Sequence, residues 1–183
     1  MKERNKKIIR LVLVGAVSMF FVALAFSGTA PKPKPTYYLN IPPAAFTGMN
    51  EGSNEASYLQ EGWGIYVNTP STWVDLTSPV YLPQGATVTG LQILLYDNDN
   101  SYDTEFTVSL YSSNIYSKTF SALATIWTST TGSIDHILSF NDTSINDATI
   151  DNVNNFYFIS LVYNPHYYSG YEYFYGCRIA YTL

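Results

Sequence analysis

Beyond residue 36 the chain runs in short stretches where apolar and polar residues alternate, the two-residue period of a strand with one face buried. Phe106, Val108 and Leu110 fall on one side of such a run, and Thr107, Ser109 and Tyr111 on the other, as in an antiparallel sheet with one wet face. Residues 91–95 and 156–163 are apolar on both sides, which marks central strands covered on each face. Clusters of Gly, Pro, Asn, Asp and Ser separate these runs and act as turns. The pattern predicts strands near 37–41, 63–68, 72–76, 86–96, 104–112, 116–127, 134–140, 156–163 and 172–182, and no segment after Phe26 carries a helical period. So many short strands in succession predict an all-β fold: a two-layer antiparallel β-sandwich, jelly-roll-like, over residues 37–183,.

The start of the chain has a different pattern. Lys2, Arg4, Lys6, Lys7 and Arg10 precede an uncharged apolar run over 11–26, which ends in the small residues Ser27, Gly28, Thr29 and Ala30. A basic start, an apolar centre and a small-residue exit make a signal helix for export, with cleavage after 27 or 30. If it is not cleaved, residues 8–26 anchor the protein in the membrane with the basic residues inside the cell. Residues 31–35 read PKPKP, an extended, semi-rigid spacer. The expected organisation is therefore a signal peptide or anchor over 1–30, a Pro/Lys spacer over 31–36, and the sandwich. The expected location is secreted or cell-surface, and membrane-anchored if the signal is retained.

Charge narrows the partners. From Tyr37 onward two bases (Lys118 and Arg178) face thirteen acids, a formal charge of −11. A field of that sign repels phosphate backbones and anionic lipid, so the folded part is not expected to bind nucleic acid or membrane. Cys177 is the single cysteine, so no intramolecular disulfide forms and packing must supply the stability. It alternates in phase with Ile179 and Tyr181 in a strand-like run, which reads as a small buried hydrophobe and not a nucleophile.

Four segments carry a likeness: Leu82-Pro83-Gln84-Gly85-Ala86-Thr87-Val88-Thr89-Gly90-Leu91; Tyr96-Asp97-Asn98; Val108-Ser109-Leu110-Tyr111; and Gly176-Cys177-Arg178-Ile179-Ala180-Tyr181-Thr182. Together they span most of 63–182, and the chain resembles a group of uncharacterised exported bacterial β-sandwich proteins. The resemblance implies the fold and export. It implies no catalytic residue, since the shared motifs are a Pro-x-Gly turn, a polar hairpin loop and a closing strand.

Candidate chemistry is sparse. Asp97, Asp99 and Asp103, with Ser101, present alternate oxygens in one loop, the kind of array that suits a hard cation. Tyr102 and Val108 stand where a helix-loop-helix calcium motif needs Gly and Glu, so that motif is rejected. The expectation is a hydrated hairpin loop with no cofactor, and calcium is its alternative. His136 and His166 lack ligands at zinc spacings. Among the glutamates no two stand at alternate positions of one strand, and no nucleophile elbow or phosphate-cradling loop is present. Aromatic residues are the positive signal. Tyr163, Tyr167, Tyr168, Tyr171 and Tyr173 crowd into a segment broken by Pro165 and Gly170, and Trp63 and Trp73 add two indoles. Exposed, these rings offer a contact surface to protein neighbours or polysaccharide; turned inward, alternate rings fill the core. The resulting expectation is a non-catalytic module acting in assembly or adhesion through protein contacts, with carbohydrate binding through Tyr and Trp rings as the alternative.

Overall fold

Val74, Leu76, Ser78 and Val80 are buried while the residues between them are not, and this inward-outward alternation recurs in strands of two stacked sheets. The computed structural model describes residues 32–48, 58–61, 64–67, 74–97, 104–130, 136–164 and 172–183. The segment 1–30 predicted as a signal helix lies outside the described residues. Eleven strands are found among the described residues: β1 (Tyr37–Ile41), β2 (Thr47–Gly48), β3 (Tyr58–Glu61), β4 (Gly64–Val67), β5 (Val74–Val80), β6 (Thr87–Asp97), β7 (Thr104–Asn114), β8 (Phe120–Thr130), β9 (His136–Asp142), β10 (Asn155–Asn164) and β11 (Glu172–Thr182). A single 3-10 turn, Pro43–Ala45, follows β1. The first sheet has the order β3-β4-β11-β6-β9, with β1 also paired to β11; the second has the order β2-β5-β10-β7-β8. Every strand pairing is antiparallel.

From β5 onward the chain passes back and forth between the layers, with β6, β9 and β11 in the first sheet and β5, β7, β8 and β10 in the second. This is the jelly-roll-like sandwich that the alternation predicts. The inner faces meet in one core that includes Leu91, Ile93, Leu95, Phe174 and Ile179 from the first sheet and Leu76, Val108, Leu110, Ile159 and Leu161 from the second. Each such side chain contributes roughly 1.5–3 kcal/mol by leaving water.

Several boundaries differ from the sequence reading for physical reasons. The segment 97–103 does not close a hairpin: β6 already pairs with β11 and β9, and β7 with β10 and β8, so the segment joins the two sheets. The strand expected at 72–76 runs on through Pro79. Proline is tolerated there because β2 covers β5 only at Leu76 and Thr77, leaving that edge open beyond them. The strand expected from 116 begins at Phe120, because 115–119 form the turn. In that turn Asn114 Oδ1 accepts hydrogen bonds from the N–H groups of Tyr116 and Ser117, both at 3.0 Å.

The long connection between β9 and β10 is fastened to the β5–β6 turn. Gly85 N–H donates to Ile150 O at 2.9 Å, Ile150 N–H to Ala86 O at 2.8 Å, and Asn152 N–H to Gln84 Oε1 at 2.6 Å. Asn154 Nδ2 donates to the Asp151 carboxylate at 2.6 Å, and this bond, with that from Val153 N–H, holds the carboxyl below its ordinary range,.

Strand β11 organises the first sheet. One edge pairs with β6 along its length; the other takes β1 over residues 177–181 and β4 at Phe174. The changeover falls at Gly176, where the register against β6 slips by one residue. Gly176 has φ +114, and a Cβ built on it would lie 2.5 Å from the carbonyl oxygen of Ile41, the last residue of β1. Both facts demand glycine. Gly176→Ala is expected to lower stability by about 2 kcal/mol, read as an earlier urea midpoint; a midpoint equal to wild type would contradict this role of the bulge.

Candidate binding face

The bulge decides which side chains of β11 face outward. Phe174, Cys177 and Ile179 are all buried, although 174 and 177 have opposite parity, and a regular strand would send one of them to solvent. With one extra residue inserted, Tyr173, Gly176 and Arg178 align opposite Tyr96, Leu94 and Gln92 of β6. These in turn face Ile137, Ser139 and Asn141 of β9. The outer face of the first sheet therefore carries ordered rows. At one end are Ile137, Tyr96 and Tyr173, with Tyr66 tilted against Tyr173 at a centroid distance of 5.2 Å, and Tyr96 at 6.1 Å. At the other end, about 13 Å along the strands, Asn141, Gln92, Arg178 and Asn40 form a polar row.

Hydrogen bonds preset that polar row. Arg178 Nε donates to Asn40 Oδ1 at 2.8 Å, and its guanidinium carbon sits 5.3 Å from the centroid of the Tyr38 ring. Gln92 Nε2 donates to Ser139 Oγ at 2.8 Å, which orients the amide at the edge of the row. Beside the row lies an open depression of about 270 Å³, lined by Tyr38, Gly90, Gln92, Asn141, Thr143 and Arg178 among others. Half-buried rings beside preset donors and acceptors can hold a flat polyhydroxylated ligand: the rings cover its apolar face and the amides meet its hydroxyls.

The second sheet presents a different surface. Tyr111 stacks on Phe158 at 5.4 Å and meets Phe120 edge-on at 5.6 Å. Phe120 and Phe156 are each 68% exposed and Tyr81 83%. A groove of about 480 Å³ runs between Pro79, Tyr81, Asn155, Phe156 and Phe158. This face is more apolar and lacks a charged side chain at its groove.

The expected contact residues divide. Tyr173 belongs to the outer aromatic row. Tyr163 is a correction: it is 5% exposed and stacks on Phe106 at 4.4 Å and 9°, because it falls on the inward parity of β10, so it contributes to the core and not to the surface. Tyr167, Tyr168, Tyr171, Trp63 and Trp73 lie outside the described residues, as do Asp99, Asp103 and the side chain of Asp97. Tyr38, Asn40, Gln92, Tyr96, Asn141 and Arg178 were not singled out in the sequence; their signal is outward parity on β1, β6, β9 and β11, which needs the register to be read.

Cys177 is buried, and burial pushes its thiol up to about 12, so it stays protonated at neutral pH. Native protein at pH 8 is expected to resist alkylation by iodoacetamide and to react once unfolded in urea. Rapid labelling of the native state would remove Cys177 from the core.

No known family and no curated protein matches the chain. Among solved structures, a xylan-binding module, CBM15, is similar at 12% identity, covering 80% of this chain and 97% of that one with a TM-score of 0.46. A mannan-recognising carbohydrate-binding module, TmCBM27, is similar at 10% identity, covering 80% and 99% with a TM-score of 0.42. A structure of infectious bursal disease virus is also similar, at 12% identity, covering 83% of this chain and 32% of that one with a TM-score of 0.39.

Proposed function

We propose that the domain is a non-catalytic carbohydrate-binding module, acting outside the cell as residues 1–30 predict, and that it holds a polysaccharide against the outer face of β6, β9 and β11. The observation that carries this reading is the alignment of one aromatic row and one polar row on the same three adjacent strands. Rigid, half-buried rings lose little conformational entropy on binding, and sheet strands hold them more firmly than a loop would. A low density of charge on this face leaves hydrogen bonding and ring stacking as its means of recognition, which are the means that suit sugars.

Affinity electrophoresis in gels containing soluble polysaccharides tests this. Tyr96→Ala is expected to weaken binding about tenfold, the effect of losing about 1.4 kcal/mol, while Trp127→Ala, at an exposed position of β8 on the other sheet, leaves it unchanged. Equal retardation of Tyr96→Ala and wild type, or loss only in Trp127→Ala, would refute the assignment of this face.

The exposed Phe120, Phe156 and Tyr81 favour assembly through protein neighbours as a second reading, since exposed apolar patches mark contact sites. That reading expects the domain beginning at Lys34 to elute as larger species with rising concentration on size exclusion, and Phe156→Ser to reverse it. Carbohydrate binding alone expects a monomer throughout.

A further inference from the structure

The depression beside Arg178 has the makings of a selective subsite. Its floor is Gly90 paired with Ala180 across the β6–β11 ladder, two of the smallest side chains on the outer face. A Cβ on Gly90 would meet only ordinary contacts, the nearest being Asp142 O at 3.5 Å, so the space above it is open and not strained. Tyr38 and Arg178 stand on one side, Asn141 and Thr143 on the other, with Gln92 at one end. At about 270 Å³ it falls just below the usual ligand-pocket range of roughly 300–1,000 Å³, room for one ring or one substituent of a longer chain.

Charge sets this place apart. After residue 36 the chain has two bases against thirteen acids; one, Lys118, sits at positive φ in the β7–β8 turn, and the other is Arg178. Among the described residues no carboxylate pairs with Arg178. Its contacts are the hydrogen bond from Nε to Asn40 and the Tyr38 ring; neither uses the terminal amino groups Nη1 and Nη2, and the side chain lines the depression. One acid, Asp142, also lines the depression; its Oδ2 accepts from Thr125 N–H at 3.1 Å and its Oδ1 from Ser144 N–H at 2.7 Å, so each oxygen already holds a backbone donor. That carboxylate ties β9 to β8 of the other sheet. A planar guanidinium fixed on one edge and open on the other presents the fork that matches a carboxylate.

We propose that this depression is a subsite for a uronic acid residue, with Arg178 binding the sugar carboxylate and Gln92 and Asn141 meeting ring hydroxyls. The inference rests on the carbohydrate-binding reading and deepens it. An acidic domain repels polyanions at long range, but screening beyond about 8 Å at physiological salt leaves the short contact in control. Selection is then local, through one residue.

The test uses the full-length protein, processed as its host processes it, and isothermal titration with polygalacturonate, alginate and glucuronoxylan oligosaccharides, each beside its carboxyl-reduced counterpart. Wild type is expected to bind at least one acidic form about tenfold more tightly than its reduced partner, with the preference shrinking as salt is added. Arg178→Gln should abolish the preference and retain the weaker binding of the reduced form. Arg178→Lys, which keeps the charge without the fork, should restore only part of it. Gly90→Leu should block acidic binding by filling the floor, with a melting temperature close to wild type. Equal affinity for acidic and reduced forms, with both lost in Tyr96→Ala, would overturn the uronic acid subsite and leave the carbohydrate-binding reading standing. Absence of binding to every acidic and reduced form would overturn both.

Discussion

The one-residue bulge at Gly176 is the constraint on which the first sheet depends. Phe174 on one side of it and Cys177 and Ile179 on the other must all reach the core, and a strand of unbroken period two cannot deliver that. The extra residue resolves the conflict and at the same point lets β11 exchange β4 for β1 on its outer edge. The carbonyl of Ile41 occupies the space that a side chain at 176 would need. A second slip, between Ala180 and Tyr181, reconciles Val88 with Leu91 on β6 in the same manner, since both are buried at an odd spacing. Core packing thus determines the outer face: because Phe174 and Ile179 point inward, Tyr173 and Arg178 point outward together.

That coupling explains how a sandwich without disulfide or dense ion pairing can carry a defined surface. Arg178 is placed by the ladder, then oriented by Asn40 and Tyr38. The strand β1 therefore has two roles, closing the edge of β11 and supplying two side chains to the polar row. Gln92 and Ser139 fix one another across the β6–β9 ladder, so the donors and acceptors are in place before a ligand arrives, which lowers the ordering cost of binding. The opposite sheet aligns only small hydroxyl side chains, Thr77, Ser160, Ser109 and Thr125, and adds exposed phenylalanines. The two faces differ in chemistry because their outward positions differ, while the inward positions of both sheets are mostly aliphatic with a few aromatic rings, among them Phe106, Tyr163 and Phe174.

Much of the fold was legible in the sequence. Alternation located β1 and β11 to the residue and β6, β7 and β10 to within two residues at each end, since long strands with a strong period leave little room for error. The strand β3 was missed, and so was the two-residue β2, because four and two residues are too short for an alternating period to be read,. Pro79 masked the end of β5, as proline ordinarily stops a strand, and only the open edge beside it shows why this one does not. The polar segment after Tyr96 read as a hairpin because sequence proximity suggests pairing; the choice of partner was set by β9 and β11, which are far away in the chain. Tyr163 illustrates the same limit at the site. Composition counted it with its aromatic neighbours, yet parity on β10 places it against Phe106. Arg178 stood in plain view as one of two late bases, but nothing short of the register brings it beside Asn40, Gln92 and Asn141. A glycine inside an apolar strand was the available hint of a bulge.

The account's central claim is that the bulged β11 and its neighbours form a glycan-binding face. Its most direct test is the map of backbone amide shifts in an NMR titration of the isotopically labelled protein with an oligosaccharide that it binds. The expected perturbations lie at Asn40, Gln92, Leu94, Tyr96, Ser139, Asn141, Tyr173 and Arg178, on four strands of one sheet. Perturbations confined to Tyr81, Asn155, Phe156 and Phe158 on the opposite sheet would contradict it.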